Sequence, residues 1–340
     1  MALDTGAREG LARNGASQVR DSEETIDYQF RAGGHVLSLF SRALHSLVLK
    51  ALADGPMRLA ELREAVGGPP QTTLRGNLGN LIGMGALERR HGQGNLVDNA
   101  LTPVGTELRF VAEVLESWLA RAPRGPLVLD SETGKSAVKA LVGGWGSTML
   151  RALAARPCTL TQLDNLINAF SYPALERRLS SMRLAGYVAA LEPDGGGTPY
   201  AVTPWLRQAM APLLAAIRCE RRHMAAETAP LTRIDVETIL LLTAPLVRLP
   251  PEAEGPCQLT VQGGEDSEWR AAGLSAWIEN GRISHATSKL GSNPQSWIGG
   301  SAATWLDAIV EGQPGLLEAA GDRALTTALV DGLHRALFSP

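Results

Sequence analysis

Between residues 36 and 53 the apolar positions Leu44, Leu47, Val48, Ala51 and Leu52 fall on one face at helical spacing, which predicts an amphipathic helix. Gly55-Pro56 stops it. Leu59, Leu62 and Val66 mark a short second helix, closed by Gly67-Gly68. Pro69-Pro70 opens a third, with the stripe Leu74, Leu78, Leu81 and Ile82, and Gly85 ends it. A strand over 86–90, a glycine-containing turn over 91–94 and a second strand from Leu96-Val97 to Leu101 predict a hairpin. After Thr102-Pro103 a long helix carries Leu108, Val111, Leu115, Trp118 and Leu119 on one face.

The same phrase then returns. LKALADGP at 49–56 is echoed by LRALAARP at 150–157, an offset of 101 residues. Leu59, Leu62, Leu74, Leu78 and Gly85 keep that offset to Leu160, Leu163, Leu175, Leu179 and Gly186. Leu101-Thr102-Pro103 keeps it to Val202-Thr203-Pro204. Punctuation by Gly and Pro stays in register as well as the apolar residues, so two copies of one unit are expected. The period is too long for a solenoid, so each copy is expected to be a small domain. The division expected is a flexible tail over 1–34, domains over 35–122 and 137–226, a linker over 123–136 and a different domain over 232–340.

Residues 232–340 do not continue the repeat. A helix over 233–248 ends near Pro245, Gln258–Gln262 alternates as a strand, and Asn280-Gly281 signals a hairpin between 275–279 and 282–286. Helices over 301–311 and 323–337 follow, the first with Trp305, Leu306 and Ile309 inward, the second with Leu325, Leu329, Leu333 and Leu337.

Charge adds an asymmetry to this division. The net charge is −3 over 340 residues. Residues 35–124 carry 10 Lys or Arg against 8 Asp or Glu, residues 136–226 carry 10 against 5, and residues 227–340 carry 7 against 14. Mildly basic repeats beside an acidic third are compatible with nucleic-acid binding by the repeats. Three scattered cysteines without a CxxC, a polar N-terminus and no long apolar run point to a cytoplasmic chain with no zinc site and no membrane partner.

Helix, short helix, helix, hairpin, helix is the order of a winged helix-turn-helix, in which the third helix offers its polar face to the major groove and the hairpin is the wing. The segments LKALADGPMRLAELREAVGGPPQTTLRGNLGNLIGMGALERR (49–90) and ALTPVGTELRFVAEVLESW (100–118) resemble the HxlR family of bacterial transcription regulators. RALAARPCTLTQLDNLINAFSYPALERRLSSMRLAGYV (151–188) keeps the frame more loosely. The resemblance implies binding to a double-stranded DNA operator, with dimers formed through terminal helices. Here it implies one chain holding both units as a covalent pseudo-dimer, with pairing of two chains as a further possibility.

The candidate DNA-binding residues are Gln71, Thr72, Thr73, Arg75, Asn77 and Asn80 on the third helix, and Arg89, Arg90 and His91 at the wing. In the second copy they are Tyr172, Arg177 and Arg178. Arg bidentate to guanine and Asn bidentate to adenine is the chemistry that would make such contacts specific. Gly76 and Gly79 lower helix propensity, and either admit a phosphate backbone or permit tight helix packing. The second wing, with Glu192 and Asp194, lacks the basic residues of the first.

AWIENGRIS (276–284) and ATWLDAIVEGQPGLLEAAGDRALTTALVDGLHRAL (303–337) resemble the sterol-carrier-protein-2-like fold, an α+β sheet sheltering an apolar pocket. That resemblance implies a hydrophobic or aromatic small-molecule effector. Trp269, Trp277, Trp297 and Trp305 are its candidate ligand-binding residues, each also readable as ordinary core. The fold class expected is mainly α with α+β: two tandem winged-helix domains and a C-terminal sterol-carrier-protein-2-like domain.

Enzymatic constellations are missing. Gly134-Lys135-Ser136 lacks the first glycine of a phosphate loop, Leu standing at 129, and there is no HExxH, GxSxG or GxGxxG. No cofactor and no catalytic residue is expected. The expected function is a ligand-responsive transcription regulator; the alternative is a small-molecule sequestering or self-resistance protein using winged helices for assembly.

Overall fold

The computed structural model describes residues 32–91, 97–143, 147–167, 170–193, 195–224, 229–265 and 267–339. The tip of the first hairpin, Asp194 of the second, and residues 1–31 of the expected tail lie outside them. The described chain starts three residues before the expected domain edge. Ala32 is buried, and the Gly33 N–H is bonded deep in the protein.

Where one helix was expected over 36–53 there are two, α1 (Gly34–Leu39) and α2 (Ala43–Ala51). Serine side chains compete for the backbone between them: Ser38 Oγ donates to His35 O and Ser41 Oγ to Ser38 O, each at 2.7 Å. The break drives Phe40 into the core and brings His45 Nδ1 to 2.9 Å from Leu39 O. Burial lowers the His45 pKa from 6.5.

The chain continues through β1 (Met57–Arg58), α3 (Leu59–Ala65), α4 (Gln71–Gly83), β2 (Leu87–His91), β3 (Val97–Leu101) and α5 (Pro103–Ala120). The sheet is three-stranded and antiparallel, in the order β1-β3-β2, rather than the two-stranded hairpin expected. Two residues are too few for alternation to reveal β1. Gly85 takes a left-handed φ of 72° to leave α4. Thr102 then locks the turn, its hydroxyl donating to Gly85 O at 2.6 Å and accepting from Gly105 N at the start of α5.

After α6 (Glu132–Gly143), which begins inside the expected linker, come α7 (Ser147–Ala155), α8 (Leu160–Leu166), α9 (Tyr172–Leu184), β4 (Val188–Ala190), β5 (Tyr200–Val202), α10 (Pro204–Gln208) and α11 (Met210–His223). The 101-residue offset extends to their bonding. Leu87↔Leu101 becomes Val188↔Val202, and Met57↔Asn99 becomes Cys158↔Tyr200. Gly186 repeats the left-handed φ at 80°. Thr203 repeats the lock, donating to Gly186 O at 2.9 Å and accepting from Leu206 N. The Gly134-Lys135-Ser136 run lies in the first turn of α6, where Ser131 Oγ caps the Gly134 N–H, so no phosphate cradle forms.

The final third holds α12 (Arg233–Thr243), β6 (Gly255–Gln262), β7 (Ala271–Glu279), β8 (Arg282–Thr287), β9 (Trp297–Ser301), α13 (Ala302–Glu311), β10 (Glu318–Ala320) and α14 (Arg323–Phe338). The five-stranded sheet runs β10-β9-β6-β7-β8, antiparallel except for the β6–β9 pair. Strands β9 and β10 leave no alternation in the sequence; Gly299 and Gly300 interrupt the apolar pattern of β9. Leu259, Val261, Leu274 and Ile278 line the buried face.

All three parts meet on α11. Every residue from Met210 to Glu220 is buried. Pro212 lacks an N–H and its ring clashes with the carbonyl four residues back, which separates α11 from α10 at Ala209. Glu220 accepts from Gly33 N at 2.7 Å and Val36 N at 2.9 Å, closing the first turn of α1. Burial nonetheless raises its pKa above the ordinary carboxylate value, the backbone bonds offsetting only part. Arg218 pairs with Glu107 of α5 at 3.3 Å and with Asp307 of α13 at 2.9 Å, and also with Glu311. Trp118 and Trp205 stack at 4.6 Å and 7°, each indole N–H donating to the other's backbone carbonyl at 2.9 and 3.0 Å.

Two expectations follow. Glu220→Ala leaves two buried N–H donors without acceptors, so stability should fall by about 2–5 kcal/mol in urea unfolding. His45 binds its proton less readily folded than unfolded, so its contribution is present above pH 6.5 and is lost as pH falls toward the lowered folded value. An unfolding series from pH 8 to about 5 should show that loss, and His45→Gln should flatten it.

Candidate nucleic-acid interface

Helix α4 buries Leu74, Leu78 and Leu81 and turns the opposite face outward. Gln71, Thr72, Thr73, Arg75 and Asn80 are exposed there, as expected of residues able to reach a groove. Arg75 has no acidic partner among the described residues. Asn77 differs: it is half-buried, and its amide donates to Thr73 O at 2.8 Å, one turn back on its own helix. Its Oδ1 is buried, so as an adenine reader it would first have to turn outward.

Gly76, Gly79 and Gly83 form an exposed stripe on the same helix. A Cβ at any of them would meet nothing within 4 Å. Of the two explanations for Gly76 and Gly79, tight packing within the chain is therefore removed. Each costs the helix about 1 kcal/mol relative to alanine with no gain inside the fold.

The wing cations divide between two faces. Arg89 pairs across the ladder with Asn99, and Arg90 with Asp98, so neighbouring side chains point oppositely. Arg90 bonds Glu88 at 2.7 Å, while Arg58 of β1 approaches Asp98 at 3.8 Å. That face is charge-balanced. Arg89 lies on the other face, exposed, with no acidic partner among the described residues, and His91 shares its side. Nothing local in the sequence separates Arg89 from Arg90 or marks Arg58, because a two-residue strand leaves no pattern.

The second half presents a different surface. Tyr172 and Arg177 are exposed on α9, but Arg178 is half-buried with its guanidinium 5.4 Å from the Phe170 ring centre, so it is not a free contact. Counting 101 residues on, Glu176 stands where Arg75 stood, and Ala190 and Leu191 where Arg89 and Arg90 stood. Leu191 is exposed.

The four tryptophans do not converge. Trp305 is buried on the helix side of the sheet, donating to Thr260 O at 2.8 Å. Trp297 lies across the opposite face, its N–H on Thr260 Oγ1 at 3.0 Å. Trp277 is 42% exposed beside His285 on that outer face. Trp269 donates to Leu231 O at 3.2 Å, at the edge. Of the four, Trp305 borders an apolar cavity of about 40 Å³ between α11, α12 and α13. That is room for little more than a water, far below the roughly 300 Å³ of the smallest ligand pockets. The four rings therefore do not line one site: Trp277 and Trp297 lie on the outer face of the sheet, Trp269 in the loop between β6 and β7, and Trp305 on helix α13 against the inner face.

Gly76→Ala and Gly79→Ala should each raise stability, by up to about 1 kcal/mol, read as a higher melting temperature. A drop would show that these positions pack against something after all.

No helix among the described residues is long and apolar enough to cross a membrane. None of the curated proteins compared with the chain matches it. Residues 41–124 match the family model described as HxlR-like helix-turn-helix, covering α2 through α5 with the exposed face of α4 and the wing strands. This part of the chain is thus similar to an HxlR-like helix-turn-helix, which supports a winged helix-turn-helix regulator.

Proposed function

We propose that the chain regulates transcription by binding an operator with two winged modules arranged as a covalent pseudo-dimer, and that residues 232–340 form an effector domain. The observation that carries the pseudo-dimer is the 101-residue offset in strand register, left-handed glycine and threonine lock, together with the packing of α5 against α11. Two modules joined through terminal helices is how a dimer of such domains would be built, here with both halves in one chain.

The modules are not equivalent readers. The first supplies Arg75, Arg89 and a helix face stripped of side chains at Gly76, Gly79 and Gly83, which lets a phosphate backbone approach the helix closely. The second supplies Tyr172 and Arg177 and has lost the matching cations. It serves chiefly to set geometry, with at most a weaker contact of its own. That loss also favours the second reading, a small-molecule sequestering protein whose modules serve assembly.

Affinity for duplex DNA separates the two. Genomic fragments selected on the full chain should yield a preferred duplex whose affinity falls steeply with salt, by a log–log slope of about −0.9 per phosphate contact. Arg89→Ala should make that slope shallower by about one contact, and Arg90→Ala by less, because Glu88 already holds it. Gly76→Ala and Gly79→Ala should weaken binding while stabilising the fold. Salt-independent or absent duplex binding would leave the assembly reading standing.

A further inference from the structure

A cavity of about 380 Å³ lies where α5, α11 and α14 meet. Its walls are Phe110, Val114 and Trp118 from α5, Ala211 from α11, and Leu337 and Phe338 from α14. The Phe110 and Phe338 rings lie 6.1 Å apart at 27°, a flat aromatic wall. The polar groups at its edge are few: Glu113, Ser117, Arg121 and Gln208. Glu113 is already neutralised, accepting from Arg109 at 2.6 Å. Arg121 is held by a 2.9 Å bond to Ser117 Oγ and has no acidic partner among the described residues.

Aromatic walls, one guanidinium without a counter-ion and one neutral amide select for a particular chemistry. We propose that this cavity binds a small aromatic carboxylate, its ring against Phe110 and Phe338 and its carboxylate on Arg121. The volume falls in the range of small-molecule sites, about 300–1,000 Å³, and a guanidinium can hold a carboxylate through two parallel bonds. A second cavity, of about 290 Å³, is lined by Arg218, Arg221 and Arg222 but has no aromatic wall, and Asp307 and Glu311 already engage Arg218 and Arg222. The cavity also touches the joint of the chain: Trp118 forms part of its wall and stacks on Trp205. An occupant there bears on how the two halves sit, which places the effector site at the junction instead of inside the C-terminal sheet.

The regulatory consequence rests on the function proposed above, but the binding claim does not, so it is tested without DNA. Calorimetric titration of the full chain compares 1-naphthoate with 1-naphthalenemethanol, a neutral molecule of similar shape. Naphthoate should saturate and bind at least about tenfold tighter than the alcohol, a difference of about 1.4 kcal/mol. Arg121→Gln should abolish that preference while leaving the melting temperature unchanged, since Arg121 is exposed. Phe338→Ala should weaken both compounds. No saturable heat from naphthoate, equal affinity for acid and alcohol, or an unaltered preference in Arg121→Gln would overturn the proposal. DNA binding would remain to be judged on its own measurements.

Discussion

The rest of the structure depends on the burial of α11 on every side. A helix apolar on one stripe can belong to a small domain, but one whose residues are buried all round needs neighbours in every direction. Here α1 and α5 come from the first part of the chain, α12 and α13 from the last. Neither the first 120 residues nor the last 110 or so cover it alone. The chain is thus a string of modules by pattern and a single packed unit by energetics, since uncovering α11 would return its side chains to water at about 1.5–3 kcal/mol for each large one.

The polar groups on α11 give this packing its register. Arg218 reaches Glu107 on one side and Asp307 and Glu311 on the other, and Arg222 shares the last two. Buried ion pairs add little net stability, because desolvation offsets attraction, but breaking one strands a charge. Such a cluster penalises misdocked arrangements more than it strengthens the right one. Glu220 extends the same logic to the N-terminal turn by accepting from Gly33 and Val36. Displacement of one part therefore disturbs contacts to the others.

The two halves share backbone bonding at the 101-residue offset and differ in surface. Backbone locks at Gly85 and Thr102 recur at Gly186 and Thr203 because strand, turn and helix cannot join without them. Outward residues carry no such constraint. Arg75 is replaced by Glu176 and Arg89 by Ala190 without cost to the fold. The glycine stripe of α4 runs the other way, lowering helix stability where nothing in the chain benefits, which is what a close external surface would require.

Much of this was legible in the sequence, for reasons that are local. Helix stripes such as Leu74, Leu78 and Leu81, the glycines that end helices, and the Thr-Pro starts of α5 and α10 announce themselves within a few residues, and the 101-residue echo needs only comparison of the chain with itself. The exposed face of α4 follows from the same periodicity. Other features belong to partners far apart in sequence. Strand β1 exists only because β3 pairs with it, and the split between Arg89 and Arg90 needs the ladder register. Trp118 finds Trp205 across 87 residues. Glu220, which no local pattern singles out, caps a helix 184 residues away. The tryptophans of the last domain looked like a group because they are close in sequence, but helix α13 brings Trp305 to the inner face of the sheet while Trp277 and Trp297 lie on the outer one. Local pattern determines which elements form and which faces are apolar; only the tertiary structure decides which faces meet, because a contact's partner is set by packing and not by proximity along the chain.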